Sequence, residues 1–113
     1  MFSHDKLTFI RKTACENVPG ERDKIYWSLH ALQKLRAEGL RKNAVEAALQ
    51  KCYIIEEYSM EGRPFPGCLV LGRVVSTPVH IVVAIDMSFD RMLVVTVYRP
   101  SLERWKGDWK SRK

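Results

Sequence analysis

The sequence predicts an α+β fold in which two or three N-terminal helices pack on one face of a four-stranded antiparallel sheet. Apolar residues recur at helical spacing in the first half of the chain, whereas residues 53–98 carry runs of Val, Ile and Leu separated by short polar turns. Helices that precede the strands, instead of alternating with them, are typical of this class. A length of 113 residues fits one domain with one core.

Three helices are predicted in the first half. Ser3 can cap the first helix, and Pro19 and Gly20 end it. The second is expected to turn Leu29, Leu32 and Leu35 toward the core. The predicted ranges are Ser3 to Val18, a start between Arg22 and Ser28 running to Glu38, and about Lys42 to Lys51. We accordingly divide the chain into a helical extension at 1–20, an α+β domain at 21–105 and a basic tail at 106–113.

Four strands are predicted in the second half, at Tyr53 to Tyr58, Cys68 to Val75, Val79 to Asp86, and Met92 to Tyr98. In the last strand, Leu93, Val95 and Val97 are expected to form the apolar side. The helices should cover one face of this sheet, and the other face should be open. Either Glu56 or Glu57 is able to reach the open face, and alternation does not decide between them.

His80 is the one ionisable side chain between Thr77 and Ile85. Alternation places it on the face opposite to Val79 and Ile81. An unpartnered ring nitrogen costs a few kcal/mol in apolar surroundings, so we expect paired positions to sum to an even number. That register brings His80 opposite Thr96 or Tyr98.

Composition narrows the possible functions. Nineteen Lys and Arg against thirteen Asp and Glu give a net charge of +6, which favours an acidic partner such as RNA.

No apolar run reaches the roughly 20 residues of a membrane span, and the N-terminus lacks the features of a signal peptide, so a cytoplasmic protein without a membrane partner is expected. The three cysteines form no metal-ligand or CxxC spacing, which indicates buried free thiols. No cofactor or metal is expected.

The C-terminal residues carry much of the excess charge. From Arg99 to Lys113 there are six basic and two acidic residues, together with Trp105 and Trp109. Aromatic side chains interleaved with cations can stack on bases while the cations meet phosphates. The alternative is a solubilising, partly disordered end in which one tryptophan is anchored to the body.

The chain resembles the bacterial and archaeal domain of unknown function 4258 family over about Ile25 to Trp105. The resemblance rests on blocks that read SLHALQKL, GLRKNAVEAALQKCYIIEEY, RPFPGCLVLG, PVHIVVAID and VVTVYRPSLERW. It implies a fold similar to the RelE and barnase-like ribonuclease toxins, RNA as substrate, and a small zinc-finger antitoxin as protein partner. Residues 1–20, Arg41 and Lys42 depart from the family's pattern. The positions that match it are His30, Glu56, Pro66, His80, Thr96, Tyr98, Pro100 and Trp105.

Metal-independent RNA cleavage, which the resemblance implies, needs a base for the ribose 2′-hydroxyl, an acid for the leaving 5′-oxygen, and cations for the phosphorane. Histidine suits both proton transfers near neutral pH. We therefore expect His80 and His30 as the catalytic pair, with Tyr98 as a second candidate acid or an orienting hydroxyl. The expected substrate-binding residues are Lys34, Glu56, Arg63, Thr96, Arg99 and Trp105. Of these, Trp105 would either stack on a base or close the pocket.

Each of these residues also has a structural interpretation. A helix histidine beside an apolar stripe commonly packs against a carbonyl, and Glu56 and Glu57 are able to protect a strand edge. A metal site built from His30, His80 and Asp86 would have no recognised ligand spacing. The second hypothesis for function is therefore a non-catalytic domain that binds RNA or protein with its open sheet face and basic tail.

Overall fold

The computed structural model describes residues 3–58 and 65–113, and within these residues it contains three α-helices and a five-stranded sheet. In chain order, the elements are α1 (Ser3–Glu16), β1 (Ile25–Trp27), α2 (Leu29–Ala37), α3 (Lys42–Ala48) with a 3₁₀ turn (Leu49–Lys51), β2 (Tyr53–Tyr58), β3 (Gly67–Val74), β4 (Thr77–Asp86) and β5 (Arg91–Tyr98). The α+β class and the positions of β2 to β5 confirm the prediction.

The sheet is mixed, so the prediction of four antiparallel strands was wrong in this detail. Its strand order is β1-β5-β4-β3-β2, and β1 pairs with β5 in parallel. The three residues of β1 are too few for a periodic pattern to show in sequence. Ser28 follows at once and caps α2, since its side chain accepts a hydrogen bond from the Ala31 backbone N–H.

All three helices contribute to one core on a single face of the sheet. The buried positions of α2 are Ala31 and Leu35, so the expected core position of Leu35 is confirmed. Leu29 and Leu32 are 74% and 42% exposed, so the expectation was wrong for these two leucines. The core includes Ile10 and Ala14 of α1, Val45 of α3, Cys68 and Val70 of β3, and Val79, Ile81, Val83 and Ile85 of β4. The alternation predicted for β4 is confirmed on this side.

A bulge changes the faces of β5. Val82 pairs with Thr96 but Val83 pairs with Val94, which leaves Val95 as the extra residue. Met92 and Val94 are consequently buried, whereas Val95 is exposed. The assignment of Leu93 and Val95 to the core side was therefore wrong, and Val97 alone of the three is in the core. A single-sequence pattern of period two cannot report a bulge.

Residues 104–113, which we call the C-terminal cover, fold back onto the second face of the sheet. Trp105 and Arg112 form an isolated bridge, and the Lys113 N–H donates to the Arg104 carbonyl. Trp105 is 2% exposed. The face expected to be open is therefore covered over part of its area.

The cysteines follow the prediction of buried free thiols in part. Cys15, Cys52 and Cys68 are free; the last two are buried as predicted, and Cys15 is exposed. Burial raises the pKa of Cys52 and of Cys68 to about 12, so both remain neutral thiols near pH 7.

Within residues 3–58 and 65–113, no helix has the length and apolar character needed to span a membrane.

Candidate functional site

His80 pairs with Tyr98 across β4 and β5, so the predicted even register is confirmed from His80 to Val82; beyond the bulge the paired positions sum to an odd number. Its Nε2 lies 2.7 Å from the Trp109 carbonyl oxygen, and its Nδ1 lies 3.2 Å from the Tyr98 hydroxyl oxygen. A carbonyl only accepts hydrogen bonds, so Nε2 carries the hydrogen. In the neutral ring Nδ1 is then an acceptor, and the Tyr98 hydroxyl donates to it.

The ring of His80 is enclosed by aromatic side chains. Trp105 meets it edge to face with ring centroids 4.4 Å apart, and Tyr98 does so at 5.2 Å. His80 itself has no exposed surface. The expectation that this side chain opens onto a free sheet face was therefore wrong, because the C-terminal cover lies over it.

Burial lowers the pKa of His80 below its ordinary value of 6.5. The hydrogen bond to the Trp109 carbonyl and the nearby charge of Glu56 act in the opposite direction, and the charge of Arg112 adds to the lowering. The neutral ring is consequently the stable form at pH 7. Trp109 adopts a φ of 62°, a left-handed conformation that costs a non-glycine residue about 1–3 kcal/mol. Its contact with His80 helps to hold this conformation.

An ion pair ties the C-terminal cover to the sheet edge. The Arg112 guanidinium donates to both carboxylate oxygens of Glu56, at 2.6 and 3.0 Å, and lies 4.6 Å from the Trp105 ring centroid. The hydrogen bond from Arg112 lowers the pKa of Glu56. Glu56 pairs with Leu69 on the His80 face, while Glu57 forms an ion pair with Lys6. The structure thus selects Glu56 from the two glutamates left open by the sequence.

A cavity of about 390 Å³ lies beside this cover, and four cationic side chains line it. We call it the four-cation cavity. Lys34 pairs with the Glu38 carboxylate at 3.7 Å, while Arg99 donates to the Glu38 carbonyl oxygen at 3.1 Å. Among the described residues, Arg99 and Arg104 have no carboxylate partner. The lining residues are Lys34, Glu38, Tyr98, Arg99, Ser101, Arg104, Trp105 and Arg112.

His30 reaches the same side of the sheet from α2. Its Nε2 lies 3.1 Å from the Thr96 hydroxyl oxygen, and its side chain is exposed. Thr96 is two positions before Tyr98 on β5, so both side chains share a face about 7 Å apart. Lys34 follows His30 by one helical turn and lines the four-cation cavity. His30 therefore lies at the margin of this cavity.

Tyr98 joins the buried histidine to the cavity. Burial raises its pKa, whereas the charges of Arg112 and Arg104 act to lower it and that of Glu56 acts to raise it. The phenol is therefore protonated at neutral pH and able to donate a hydrogen bond. The two arginines would stabilise a phenolate if the proton were transferred.

The structure places most of the predicted residues around one site. Tyr98, Lys34, Arg99 and Trp105 line the cavity, Thr96 and His30 lie at its margin, and Glu56 and His80 lie beneath the C-terminal cover. Arg63 lies outside the described residues. Trp105 packs on His80, so in this structure it closes the site and leaves no face for a base.

Sequence reasoning missed Arg104 and Arg112 as lining residues of the cavity. The excess of positive charge after residue 98 was the available signal. It does not reveal that the chain turns back, because the turn depends on contacts with His80 and Glu56.

Within residues 3–58 and 65–113, no three or more His, Cys, Asp or Glu side chains are grouped so that they could hold a metal ion. The side chains that line or border the four-cation cavity include an imidazole, a phenol and four cations.

Comparison with known proteins gives one match. The family model described as Domain of unknown function (DUF4258) matches residues 27–99. These residues run from the end of β1 to the residue after β5, so they include His30, His80 and Tyr98 but not Arg104 or Arg112. No curated protein and no solved structure was found to match this chain.

Proposed function

Since the chain belongs to the domain of unknown function 4258 family, whose description names no activity, we propose a function from its own site: a metal-independent ribonuclease that holds the RNA backbone in the four-cation cavity. The observation that carries the proposal is that Lys34, Arg99, Arg104 and Arg112 line one cavity together with Tyr98. Phosphate groups bind such clusters because each neutralised phosphate releases condensed counterions.

Two proton-transfer groups border the proposed phosphate position. His30 is exposed, its Nε2 is held near Thr96, and within the described residues its Nδ1 has no hydrogen-bond partner. It takes the proton of the ribose 2′-hydroxyl as the 2′-oxygen attacks phosphorus. The bond from phosphorus to the 5′-oxygen breaks, and Tyr98 gives its proton to that oxygen. The products are a 2′,3′-cyclic phosphate and a 5′-hydroxyl, and both side chains then exchange protons with water.

His80 is proposed as a positioning residue, because its ring is enclosed and does not reach a substrate. Its Nδ1 accepts the hydrogen bond of the Tyr98 hydroxyl and orients this phenol before substrate binds. For proton transfer the O–H turns away from Nδ1 toward the leaving 5′-oxygen. The positive charges of Arg104 and Arg112 stabilise the negative charge that Tyr98 carries after it has given up its proton. This division of roles replaces the expected pair of catalytic histidines by His30 and Tyr98.

Cleavage of a short single-stranded RNA in the presence of a chelator tests the proposal. The parent protein is expected to produce 2′,3′-cyclic phosphate ends and to leave the 2′-deoxy analogue intact. His30→Ala should lower the cleavage rate by about 10²- to 10⁴-fold. Gln33→Ala on the same helix is the matched control and should cleave like the parent. Full activity of a folded His30→Ala variant would exclude His30 as the base.

The second candidate is a non-catalytic RNA-binding domain, and the burial of His80 favours it. A histidine that bridges Trp109 and Tyr98 beneath a cover has a structural role without any catalysis. The same assay separates the two functions. RNA that binds the parent protein, is released intact and shows no cyclic phosphate ends would establish the binding domain.

The toxin assignment and the zinc-finger antitoxin partner stay predictions from the family resemblance. Induced expression in a bacterial host tests the first, because a ribonuclease toxin should arrest growth and deplete RNA. His30→Ala should relieve the arrest while Gln33→Ala should not. Arrest of equal strength with both variants would separate toxicity from the proposed chemistry.

A further inference from the structure

A second basic depression lies on the other side of the C-terminal cover, between α3 and β3. It has a volume of about 630 Å³, and the described residues that line it include Lys51, Arg73 and Lys110 but no Asp or Glu. We call it the three-cation groove. Its floor is formed by small residues, since α3 approaches β3 so closely that a Cβ at Gly72 would lie 3.0 Å from the Ala48 Cβ.

The three cations of the groove are exposed and unneutralised. In the described part of the chain, none of Lys51, Arg73 and Lys110 pairs with a carboxylate. The Lys110 ammonium lies 5.3 Å from the centroid of the Tyr53 ring, and that side chain is 55% exposed. Exposed aromatic surface beside cations is the composition of surfaces that bind single-stranded nucleic acid.

The groove and the four-cation cavity lie toward opposite ends of one row of paired residues, and the C-terminal cover lies over the middle of that row. The register places Tyr53 opposite Leu71, Leu71 opposite His80, and His80 opposite Tyr98. Three strand spacings make this row about 14 Å long, which corresponds to about four nucleotides of a stacked strand. The C-terminal cover lies between the two sites, with Lys110 lining one and Arg112 lining the other.

We propose that the three-cation groove is a second binding site for single-stranded RNA, which holds the backbone of a strand whose adjoining phosphates occupy the four-cation cavity. The inference rests on the proposed function for the identity of the ligand. An acidic peptide would satisfy the same cations, but RNA is favoured because the groove shares the cover and the sheet row with the cavity beside Tyr98. A long RNA therefore engages both sites, and a short one engages the cavity alone.

The test compares binding of a tetranucleotide and a dodecanucleotide RNA over a series of salt concentrations. Neutralising the groove with Lys51→Gln, Arg73→Gln and Lys110→Gln together should reduce the salt slope of the dodecanucleotide by about 2, at about 0.7 for each lost phosphate contact. Tetranucleotide affinity and cleavage should stay as in the parent. The control carries Lys12→Gln, Arg36→Gln and Lys42→Gln, which remove the same charge from exposed positions that line neither site.

The outcomes are distinct. An unchanged dodecanucleotide slope in the groove variant overturns the second site, whereas loss of cleavage with His30→Ala still supports the proposed function. A reduced slope in a protein that cleaves nothing supports the groove and rejects the ribonuclease. Equal reductions of the dodecanucleotide salt slope in the groove and control variants would mean that the slope depends only on the net charge of the protein. That result also overturns the second site. Binding of a glutamate-rich peptide that the groove variant loses, with RNA binding intact, would assign the groove to an acidic protein segment and overturn the proposal. Thermal unfolding of each variant confirms that it is folded.

Discussion

Strand β4 presents two faces that are covered in different ways. Val79, Ile81, Val83 and Ile85 pack beneath the helices with no exposed surface, whereas His80 on the opposite face lies beneath ten residues of irregular chain. The first cover is apolar and follows from the hydrophobic effect alone. The second depends on specific groups: a carbonyl, a phenol, an indole and an ion pair. One face accordingly stabilises the domain, and the other positions a polar site.

The largest difference between the faces should appear on truncation of a core side chain. Ile81→Ala removes a fully buried side chain from the helix-covered face and should lower the free energy of unfolding by about 2–5 kcal/mol. Val95→Ala, at the exposed bulge of β5, should change it by about 0.5 kcal/mol. Urea denaturation measures both. Equal losses would mean that the described core does not carry the stability of the domain.

Removal of residues 106–113 from the C-terminal cover, with Arg104 and Trp105 retained, should have a smaller effect on stability and a specific effect on His80. Deletion of residues 106–113 takes away the Trp109 carbonyl and Arg112, and we expect a loss of about 1–3 kcal/mol. Because burial is the main cause of the lowered pKa of His80, uncovering the ring should move that pKa up toward 6.5. NMR titration of the ring protons measures it, and a pKa that stays low in the truncated protein would show that the cover is not its cause.

The pH dependence of stability should report the burial of His80. The pKa of His80 is lower in the folded than in the unfolded chain because of burial, so the unfolded chain binds the proton first as pH falls below 6.5. Its contribution to stability is complete above pH 6.5 and decreases from there toward the lowered pKa. Urea denaturation between pH 7.5 and about 5 should show this decrease in the parent protein and a smaller decrease in His80→Gln. A decrease of the same size in His80→Gln would assign it to another group.

The smallest effect is expected at the ion pair that fastens the cover. Arg112 and Glu56 are 57% and 27% exposed at their side chains, and a pair of this exposure contributes at most about 1 kcal/mol. Arg112→Gln should let the pKa of Glu56 rise toward its ordinary 4.5, because the hydrogen bond from Arg112 lowers it. Carboxyl NMR titration checks this, with Lys106→Gln as the control. An unchanged pKa of Glu56 in Arg112→Gln would argue against the contact between Arg112 and Glu56 that fastens the C-terminal cover.

The sequence predicted the elements of this fold better than their arrangement. β2 to β5 were found because their apolar runs are long and bounded by turn residues, and the pairing of His80 with Tyr98 followed from matching polar positions. β1 was missed because three residues carry no period. The inverted faces at Leu93 and Val95 come from a bulge, which depends on pairing and not on composition.

The candidate site, like the fold, was predicted only in part. Family resemblance named Tyr98, and the need for cations beside a phosphate named Lys34 and Arg99. The structure brings all three side chains to one cavity. The sequence did not reveal that Trp105 and Trp109 close over His80, because a short basic tail has the composition of a disordered end. Arg104 and Arg112 line the four-cation cavity only because the C-terminal residues fold back in this way. Their place in the site could therefore not be predicted from the sequence.

The most direct measurement of the central claim is the salt dependence of tetranucleotide RNA binding. Arg104 lines the four-cation cavity without a carboxylate partner among the described residues, and Arg36 is an exposed arginine on α2 outside it. If the cavity holds the RNA backbone, Arg104→Gln should reduce the salt slope by about 0.7 and Arg36→Gln should leave it unchanged. Equal slopes for the two variants would contradict the account, because the cavity would then contribute no more to RNA binding than any other positive charge on the surface.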